Sequence, residues 1–208
     1  MRPEWDNSSV EQTRVLGLMG SPRLGSNTEI LLDAALSGAA EAGARTEKVL
    51  VARMRILPCL ELYHCAVDGT CSIRDDMRQL YDSIVEADCI ILASPVFFYG
   101  LSSQAKALVD RCQALWVRRH VLKTWSPDVR RRRGALIAVG ATSGPKLFDG
   151  VLLTARYFFD AVGVSEAGQV LVRGVDRRAE VLDDPKHVES ARLLGRDLAS
   201  RAAGGEPS

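Results

Sequence analysis

The segment from residue 20 to residue 32, GSPRLGSNTEILL, has the residue types of a phosphate-binding loop. It follows a short apolar run, residues 15–19, and leads into a helical pattern. Backbone N–H groups in such a loop and in the first turn of the next helix point the same way and have no intrahelical acceptor. Polar side chains add further donors: Ser21, Arg23, Ser26, Asn27 and Thr28. This set of donors favours a negatively charged oxygen group as the ligand.

The spacing within this loop argues against two common nucleotide sites. Gly20 and Gly25 have the separation of the P-loop motif, but Ser26 and Asn27 occupy the positions of its lysine and hydroxyl residue. The glycines also fall at the wrong offsets for a dinucleotide-binding fingerprint. We therefore expect the loop to hold a terminal monophosphate. The alternative is that residues 26–29 form only a helix-capping box, and the two interpretations are compatible.

A second unusual segment, SPVFFYGLSSQAKALVDR at residues 94–111, follows the third apolar run. Pro95 stiffens the backbone, Gly100 permits a close turn, and three consecutive aromatic residues lie between them: Phe97, Phe98 and Tyr99. Small residues at 140–144 follow the fourth apolar run. Together with the first loop, these segments are suited to a phosphorylated planar ligand. The alternative for the aromatic residues is a core or subunit contact.

The elements that must position these segments alternate along the chain. The predicted strands are residues 15–19, 46–51, 89–93, 135–139 and 169–172. Five helical stripes lie between and after them, represented by Leu31, Leu80, Leu108, Phe159 and Leu198. Most of the strands are continuous apolar runs, as expected where both faces of a parallel sheet are covered. The pattern predicts a doubly wound α/β sheet of order 2-1-3-4-5, which binds ligands beyond the carboxyl ends of strands 1 and 3.

The motifs GSPRLGSNT and SPVFFYGLSSQAKALVDR, in this order, resemble those of the NAD(P)H-dependent FMN reductases of the flavodoxin-like superfamily. The nearest branch is the one that includes the iron–sulfur flavoproteins, and the resemblance covers residues 15–172. It implies a flavodoxin-like three-layer sandwich, with a five-stranded parallel sheet and helices on both faces. It also implies a homodimer or homotetramer.

The resemblance further implies which residues bind FMN. The first loop would hold the phosphate through Ser21, Arg23, Ser26, Asn27 and Thr28. The loop after the third strand would contact the isoalloxazine ring through Pro95, Val96, Phe97, Phe98 and Gly100. The loop after the fourth strand would complete the pocket with Thr142, Ser143 and Gly144.

The implied function is that of an oxidoreductase, which passes electrons from NAD(P)H through bound FMN to a small acceptor such as a quinone or a flavin. Because the cofactor supplies the chemistry, no catalytic side chain is assigned. The alternative is an FMN-binding electron carrier or redox-sensing module, which would act on a protein partner without turning over NAD(P)H.

A cysteine-containing loop, PCLELYHCAVDGTCSIRDDM, occupies residues 58–77. Iron–sulfur flavoproteins carry four cysteines in this place, spaced C-x-x-C-x-x-C-x5-C. The first, third and fourth positions are matched here by Cys59, Cys65 and Cys71. Leu62 stands at the second position, and since a [4Fe–4S] cluster takes four thiolates as a rule, we expect neither this cluster nor another metal site. Zinc held with His64, a reversible disulfide and inert packing are the alternatives, whereas Cys89 and Cys112 are predicted core residues.

Composition limits the remaining possibilities. The 208 residues suit one α/β domain, and the net charge of +1 favours neither nucleic acid nor a membrane as partner. The chain has no apolar run long enough to span a bilayer, and its polar start lacks the apolar core of a secretion signal. We expect residues 1–12 to form a flexible arm, residues 13–203 the single domain and residues 204–208 a disordered tail. A cytoplasmic location is expected.

Overall fold

The computed structural model describes residues 12–204, with side chains up to residue 202, and it contains the predicted parallel sheet. Its parallel strands are β1 (Arg14–Met19), β2 (Arg45–Leu50), β3 (Cys89–Phe97), β5 (Arg133–Gly140) and β6 (Ser165–Arg173). Their order across the sheet is β2-β1-β3-β5-β6, which is the predicted order 2-1-3-4-5. A two-residue strand, β4 (Gly100–Leu101), pairs antiparallel with the end of β3 and was not predicted.

Helices cover both faces of this sheet, as predicted. The longer ones are α1 (Asn27–Glu41), α3 (Met77–Glu86), α4 (Ser103–Arg111), α6 (Asp149–Ala161) and α7 (Pro185–Gly204). Shorter ones are α2 (Cys65–Asp68) and α5 (Gln113–Trp116), and α5 continues into a π-helical turn, Val117–Val121. Alternate residues of β1 serve the two faces: Leu16 packs in the core beneath α3, α4 and α6, while Val15 packs in the core beneath α1 and α7. The result is a three-layer sandwich.

The strand register places the ends of the central strands side by side. Val15 pairs with Cys89 and Met19 with Ala93, so β1 and β3 are in line at their carboxyl ends. Ala93 in turn pairs with Ile137 of β5. The segments that follow these strands therefore emerge at one edge of the sheet, where the winding reverses.

Several predicted strand boundaries need correction: β6 begins four residues before its predicted start at 169, and β5 begins two residues before its predicted start at 135. Strand β3 continues four residues beyond its predicted end at 93 because it forms a hairpin with β4. Helix α7 includes Gly204, which was assigned to the tail. Gln12, assigned to the arm, donates a side-chain hydrogen bond to the carbonyl oxygen of Gly43 at 2.6 Å. The rest of the predicted arm and tail, residues 1–11 and 205–208, lies outside the described residues.

Candidate functional site

The loop after β1 is bonded directly to the neighbouring strand and helix. The N–H of Gly20 donates to the carbonyl oxygen of Ala93 at 2.7 Å. The hydroxyl of Ser102, a fully buried residue, donates to the carbonyl oxygen of Gly20 at 2.6 Å and caps α4 by accepting from the N–H of Ala105 at 3.2 Å. These bonds bring the first and second predicted segments into contact. Sequence reasoning missed Ser102 because a hydroxyl before a helix also reads as an ordinary cap.

The start of α1 has the predicted cap, with one difference. The hydroxyl of Ser26 accepts from the N–H of Glu29 at 3.2 Å, while the Glu29 carboxylate accepts from the N–H of Gly25 at 2.6 Å and not from that of Ser26. Burial alone would raise the pKa of Glu29, but the bonds from Gly25 and Lys48 outweigh it and hold that pKa below its usual value. The cap is therefore present and charged at neutral pH.

Several donors beside this cap are available to an anion. The backbone N–H groups of Asn27 and Thr28, in the first turn of α1, have no acceptor within residues 12–204. The Thr28 hydroxyl likewise has no hydrogen-bond partner there, although the residue is only 2% exposed. Ser21 is also buried, and its hydroxyl accepts from the N–H of Arg23 at 3.2 Å. Capping and anion binding are thus compatible at this helix end.

The side chain of Asn27 has a different role from the predicted phosphate contact. Its amide nitrogen donates to the carbonyl oxygen of Arg177 at 2.8 Å, and its amide oxygen accepts from the N–H of Val181 at 3.1 Å. Both ends of the amide are therefore used to hold the segment after β6 against the phosphate loop. The backbone N–H of Asn27, and not its amide, is the group open to an anion.

Two guanidinium groups lie next to the loop. Arg23 is exposed, and its Nη1 donates to the carbonyl oxygen of Asp176 at 3.2 Å. Arg178 lies over Gly25, such that a Cβ at Gly25 would be 2.6 Å from Arg178 Nη2. Gly25 has φ +63°, a conformation that favours glycine. Arg178 belongs to no motif and is far from the loop in sequence, so the sequence contained no signal for it.

The second predicted segment forms a tight hairpin. Phe97 of β3 pairs with Gly100 of β4, and the two residues between them, Phe98 and Tyr99, have φ values of +49° and +63°. Two-residue hairpins with positive φ at both positions favour Asn and Gly, and other residues cost roughly 1–2 kcal/mol each there. Phe98 is fully exposed, and Phe97 and Tyr99 are about half-exposed. Strained, exposed aromatic residues of this kind are typical of functional sites.

The hairpin also contacts the third predicted segment. The backbone of Tyr99 packs against Gly150 at the start of α6, and its hydroxyl lies 3.9 Å from the Cβ position of Gly144. The carbonyl oxygen of Gly144 accepts from Arg173 Nη1 at 2.8 Å, and that of Thr142 accepts from the N–H of Gly174 at 3.2 Å. Thr142 and Ser143 are exposed.

The predicted site segments therefore form a ring at the carboxyl edge of the sheet. The phosphate loop contacts β3 and α4, and the β3–β4 hairpin contacts residues 142–150. The segment after β6 closes the ring through Thr142 on one side and Asn27 on the other. We call this arrangement the carboxyl-edge ring. It combines hydrogen-bond donors that could bind an anion with exposed aromatic side chains.

We expect Phe98→Asn to stabilise the protein without FMN by about 0.5–1 kcal/mol, because Asn accepts positive φ and no buried contact is lost. The sequence-based expectation that this hairpin contacts FMN further predicts that the same change weakens FMN binding severalfold, since it removes an aromatic surface. Denaturant unfolding and an FMN titration measure the two effects. Tyr157→Asn, an exposed aromatic residue within α6, is the control and should not stabilise. A loss of stability in Phe98→Asn would contradict the strain argument.

The cysteine-containing loop lies beside a separate cavity of about 910 Å³. Its lining includes Trp116 and Val121 together with three thiols, those of Cys59, Cys65 and Cys71. Burial raises the pKa of the Cys65 thiol, and nearby Cys71 adds to this, so Cys65 is protonated at neutral pH. The predicted core cysteines, Cys89 and Cys112, are buried, and burial raises the pKa of Cys89 to about 12.

The donors in this loop do not fit a four-iron cluster. Leu62 stands where the second thiolate would be needed, and its side chain cannot bind iron. In the described part of the chain, no group of three or more His, Cys, Asp or Glu side chains is arranged to hold a metal ion. No step of the mechanism is therefore assigned to such a cluster.

A buried ion pair anchors the stem of the same loop. Arg111 of α4 donates to the two carboxylate oxygens of Asp75, at 2.7 and 3.2 Å, and to the carbonyl oxygen of Leu57 at 2.9 Å. Both charged side chains are 0% exposed. Asp75 also accepts from the N–H groups of Leu57 and Met77. These bonds hold together the two ends of the segment that carries the three cysteines.

The fold and the carboxyl-edge ring are those of a flavodoxin-like protein with backbone N–H groups after its first strand that are unpaired within the described residues. The model of the NADPH-dependent FMN reductase family matches residues 13–169. This chain belongs to that family, a group of flavin-dependent oxidoreductases. None of the helices within residues 12–204 has the length and apolar character that crossing a membrane requires.

The names of curated relatives support membership of this family. An iron–sulfur flavoprotein of Methanocaldococcus jannaschii is 38% identical over 129 residues, covering 62% of this chain and 63% of that protein. A Bacillus subtilis protein named as an NAD(P)H-dependent FMN-containing oxidoreductase is 27% identical over 189 residues, covering 89% of this chain and 99% of that protein. The chain matches less than two thirds of the length of the iron–sulfur flavoproteins.

Solved structures show the same fold. A flavone reductase superposes with a TM-score of 0.68 at 18% identity, covering 94% of this chain and 66% of that chain. An NAD(P)H:quinone oxidoreductase from Methanothermobacter marburgensis superposes with a TM-score of 0.63 at 17% identity, covering 95% of this chain and 99% of that chain.

Proposed function

We propose that this protein binds FMN in the carboxyl-edge ring and passes electrons from NAD(P)H to a small acceptor such as a quinone or a flavin. The observation that carries the proposal is the juxtaposition of unpaired donors at the start of α1 with the exposed aromatic hairpin, in a chain of the FMN reductase family. In a phosphorylated planar ligand, the phosphate would bind the donors and the planar ring would contact the aromatic hairpin. Doubly wound sheets bind such ligands at this edge.

The residues of the phosphate loop would bind the anionic end of the cofactor. The backbone N–H groups of Asn27 and Thr28 supply aligned donors, and the α1 dipole favours negative charge at that point. The hydroxyls of Ser21, Ser26 and Thr28 and the guanidinium of Arg23 belong to the same segment and would add further donors. The Ser26 hydroxyl already caps the helix by accepting from the N–H of Glu29. It would bind phosphate by donating its own O–H in addition.

The hairpin and the third segment would position the ring. Pro95 and Val96, half-buried at the end of β3, and Phe97, Phe98 and Gly100 provide an apolar wall. Gly144 lies near the Tyr99 hydroxyl, and Thr142, Ser143 and Gly144 would line the opposite side of the pocket. FMN supplies hydride and single-electron transfer when bound, and these residues orient it and exclude water. No side chain is assigned a proton-transfer role.

The decisive test is binding and reduction of added FMN. The purified chain should take up FMN with one site per protomer, and NADPH or NADH should bleach the bound flavin's visible absorbance in the absence of oxygen. Adding a quinone should restore it. Protein that fails to bind FMN would refute the proposal. Riboflavin, which lacks the phosphate, is the control ligand and should bind much more weakly.

An electron carrier is the second candidate. The relatives at 38% and 35% identity are named iron–sulfur flavoproteins, which favours electron transfer as a shared property. Steady-state turnover separates the two functions: an enzyme consumes NAD(P)H with a small acceptor over many cycles, whereas a carrier shows almost none. The exposed hairpin also supports a homodimer or homotetramer in which a second copy covers these aromatic residues, and light scattering would measure the assembly.

A further inference from the structure

We propose that Arg178 is a second cationic ligand of the FMN phosphate and that it makes the site selective for FMN over riboflavin. This inference rests on the proposed function and adds a residue to it. The argument begins from the placement of the Arg178 guanidinium over Gly25, at the rim of the phosphate loop. Three of its atoms, Nη2, Nε and Cζ, lie 2.6, 3.0 and 3.2 Å from the Cβ position of Gly25. Any larger residue at position 25 would displace it.

The guanidinium of Arg178 is hydrogen-bonded to no residue in the described part of the chain, and its charge helps to lower the pKa of the nearby Glu29 carboxyl. Within residues 12–204 the Arg178 guanidinium forms neither a hydrogen bond nor an ion pair, whereas the neighbouring Arg177 is bonded to Glu180 through Nε at 3.1 Å and Nη2 at 3.0 Å. Arg177 is thus occupied within its own segment. Arg178, one residue along, forms no such bond and lies over Gly25, which is two residues before the first open N–H group of α1.

The segment that carries Arg178 is held in place by the phosphate loop itself. The Asn27 amide bonds to the backbone at Arg177 and Val181, on either side of Arg178. Arg23 adds a bond to the carbonyl oxygen of Asp176. The backbone position of Arg178 is therefore set by bonds from both ends of the loop, independently of any ligand.

The same place has a further donor without a partner in the protein. The Thr28 hydroxyl is without a hydrogen bond in the described region although the residue is 2% exposed. With the N–H groups of Asn27 and Thr28, it forms a donor set that a phosphate would satisfy. A guanidinium fits phosphate with two parallel N–H···O bonds, which a neutral hydroxyl of riboflavin cannot match.

The test compares Arg178→Ala with Arg177→Ala in the full-length chain, using FMN and riboflavin as the two ligands. We expect Arg178→Ala to weaken FMN binding about 10- to 100-fold and to leave riboflavin affinity within about twofold. Arg177→Ala, the matched control, should bind both ligands as the wild type does. The affinity of the wild type for FMN should fall more steeply with salt than that of Arg178→Ala.

Three results would overturn the inference. Unchanged FMN affinity in Arg178→Ala would show that the guanidinium does not contact the phosphate. Equal losses for FMN and riboflavin would show that Arg178 acts only on the shape of the pocket. A wild type that binds no FMN would refute the proposed function as well, so the two failures are distinguishable. Arg178→Gln, which removes the charge but keeps most of the side-chain length, replaces the Ala variant if that variant does not fold, with the same expected results.

Discussion

Replacing Arg111 by Met should lower the free energy of unfolding by about 3–5 kcal/mol, because it leaves the Asp75 carboxylate buried without its counter-charge. The carbonyl oxygen of Leu57 loses its donor in the same variant. Denaturant unfolding of the wild type and the variant measures the difference. The loss should also loosen the cysteine-containing loop, which hydrogen exchange of residues 57–75 would report.

A matched control lies on the same helix. Lys106 and Asp110 form an ion pair of similar length, 2.6 Å, but their side chains are 49% and 40% exposed. Lys106→Met should therefore cost no more than about 1 kcal/mol, because solvent weakens such pairs. Equal effects of Arg111→Met and Lys106→Met would contradict the view that burial makes the Arg111–Asp75 pair important.

The Arg111–Asp75 pair should also make the free energy of unfolding depend on pH. Burial alone would raise the pKa of Asp75, but the bonds from Arg111 and from the N–H groups of Leu57 and Met77 outweigh it and hold that pKa below its usual value. Because the folded-state pKa is lowered, the stability from Asp75 is fully present above its unfolded pKa of about 3.9 and is lost as the pH falls through the folded pKa. The stability difference between the wild type and Asp75→Asn should therefore shrink below about pH 4.

Replacing Leu62 by Cys should enable the chain to assemble a [4Fe–4S] cluster that the wild type does not hold at full occupancy. The change completes the spacing C-x-x-C-x-x-C-x5-C, with Cys59, Cys65 and Cys71 as the other ligands. Reconstitution with iron and sulfide without oxygen, followed by iron analysis and a visible spectrum, measures the result. We expect four irons per protomer in the variant and substoichiometric iron in the wild type.

Leu60→Cys is the matched control for this prediction. Leu60 and Leu62 lie in the same loop and are almost equally exposed, at 58% and 56%. Only a cysteine at 62 has the correct spacing, so Leu60→Cys should bind no more iron than the wild type. A full cluster in the wild type would show that three thiolates suffice here. Equal iron contents in the two variants would contradict the prediction that the cysteine must be at position 62.

The strands and helices could be predicted because their signals are local. Continuous apolar runs marked the parallel strands, and regular stripes marked α1, α3, α4, α6 and α7. The hairpin at the end of β3 was harder to predict from the sequence, because Pro95 and Gly100 indicate a turn but not its conformation. Positive φ at Phe98 and Tyr99 contradicts local preference and is maintained only by contacts such as that of Tyr99 with Gly150.

The sequence by itself determined the parallel α/β fold and the order in which the predicted site segments follow each other. Only the tertiary structure decided that Asn27 holds a distant segment in place, that Arg178 lies over Gly25 and that Arg111 pairs with Asp75. These roles depend on which residues meet after the strands have paired. Apolar periodicity and turn propensity act over a few neighbouring residues, whereas such contacts join positions 36 to about 150 residues apart.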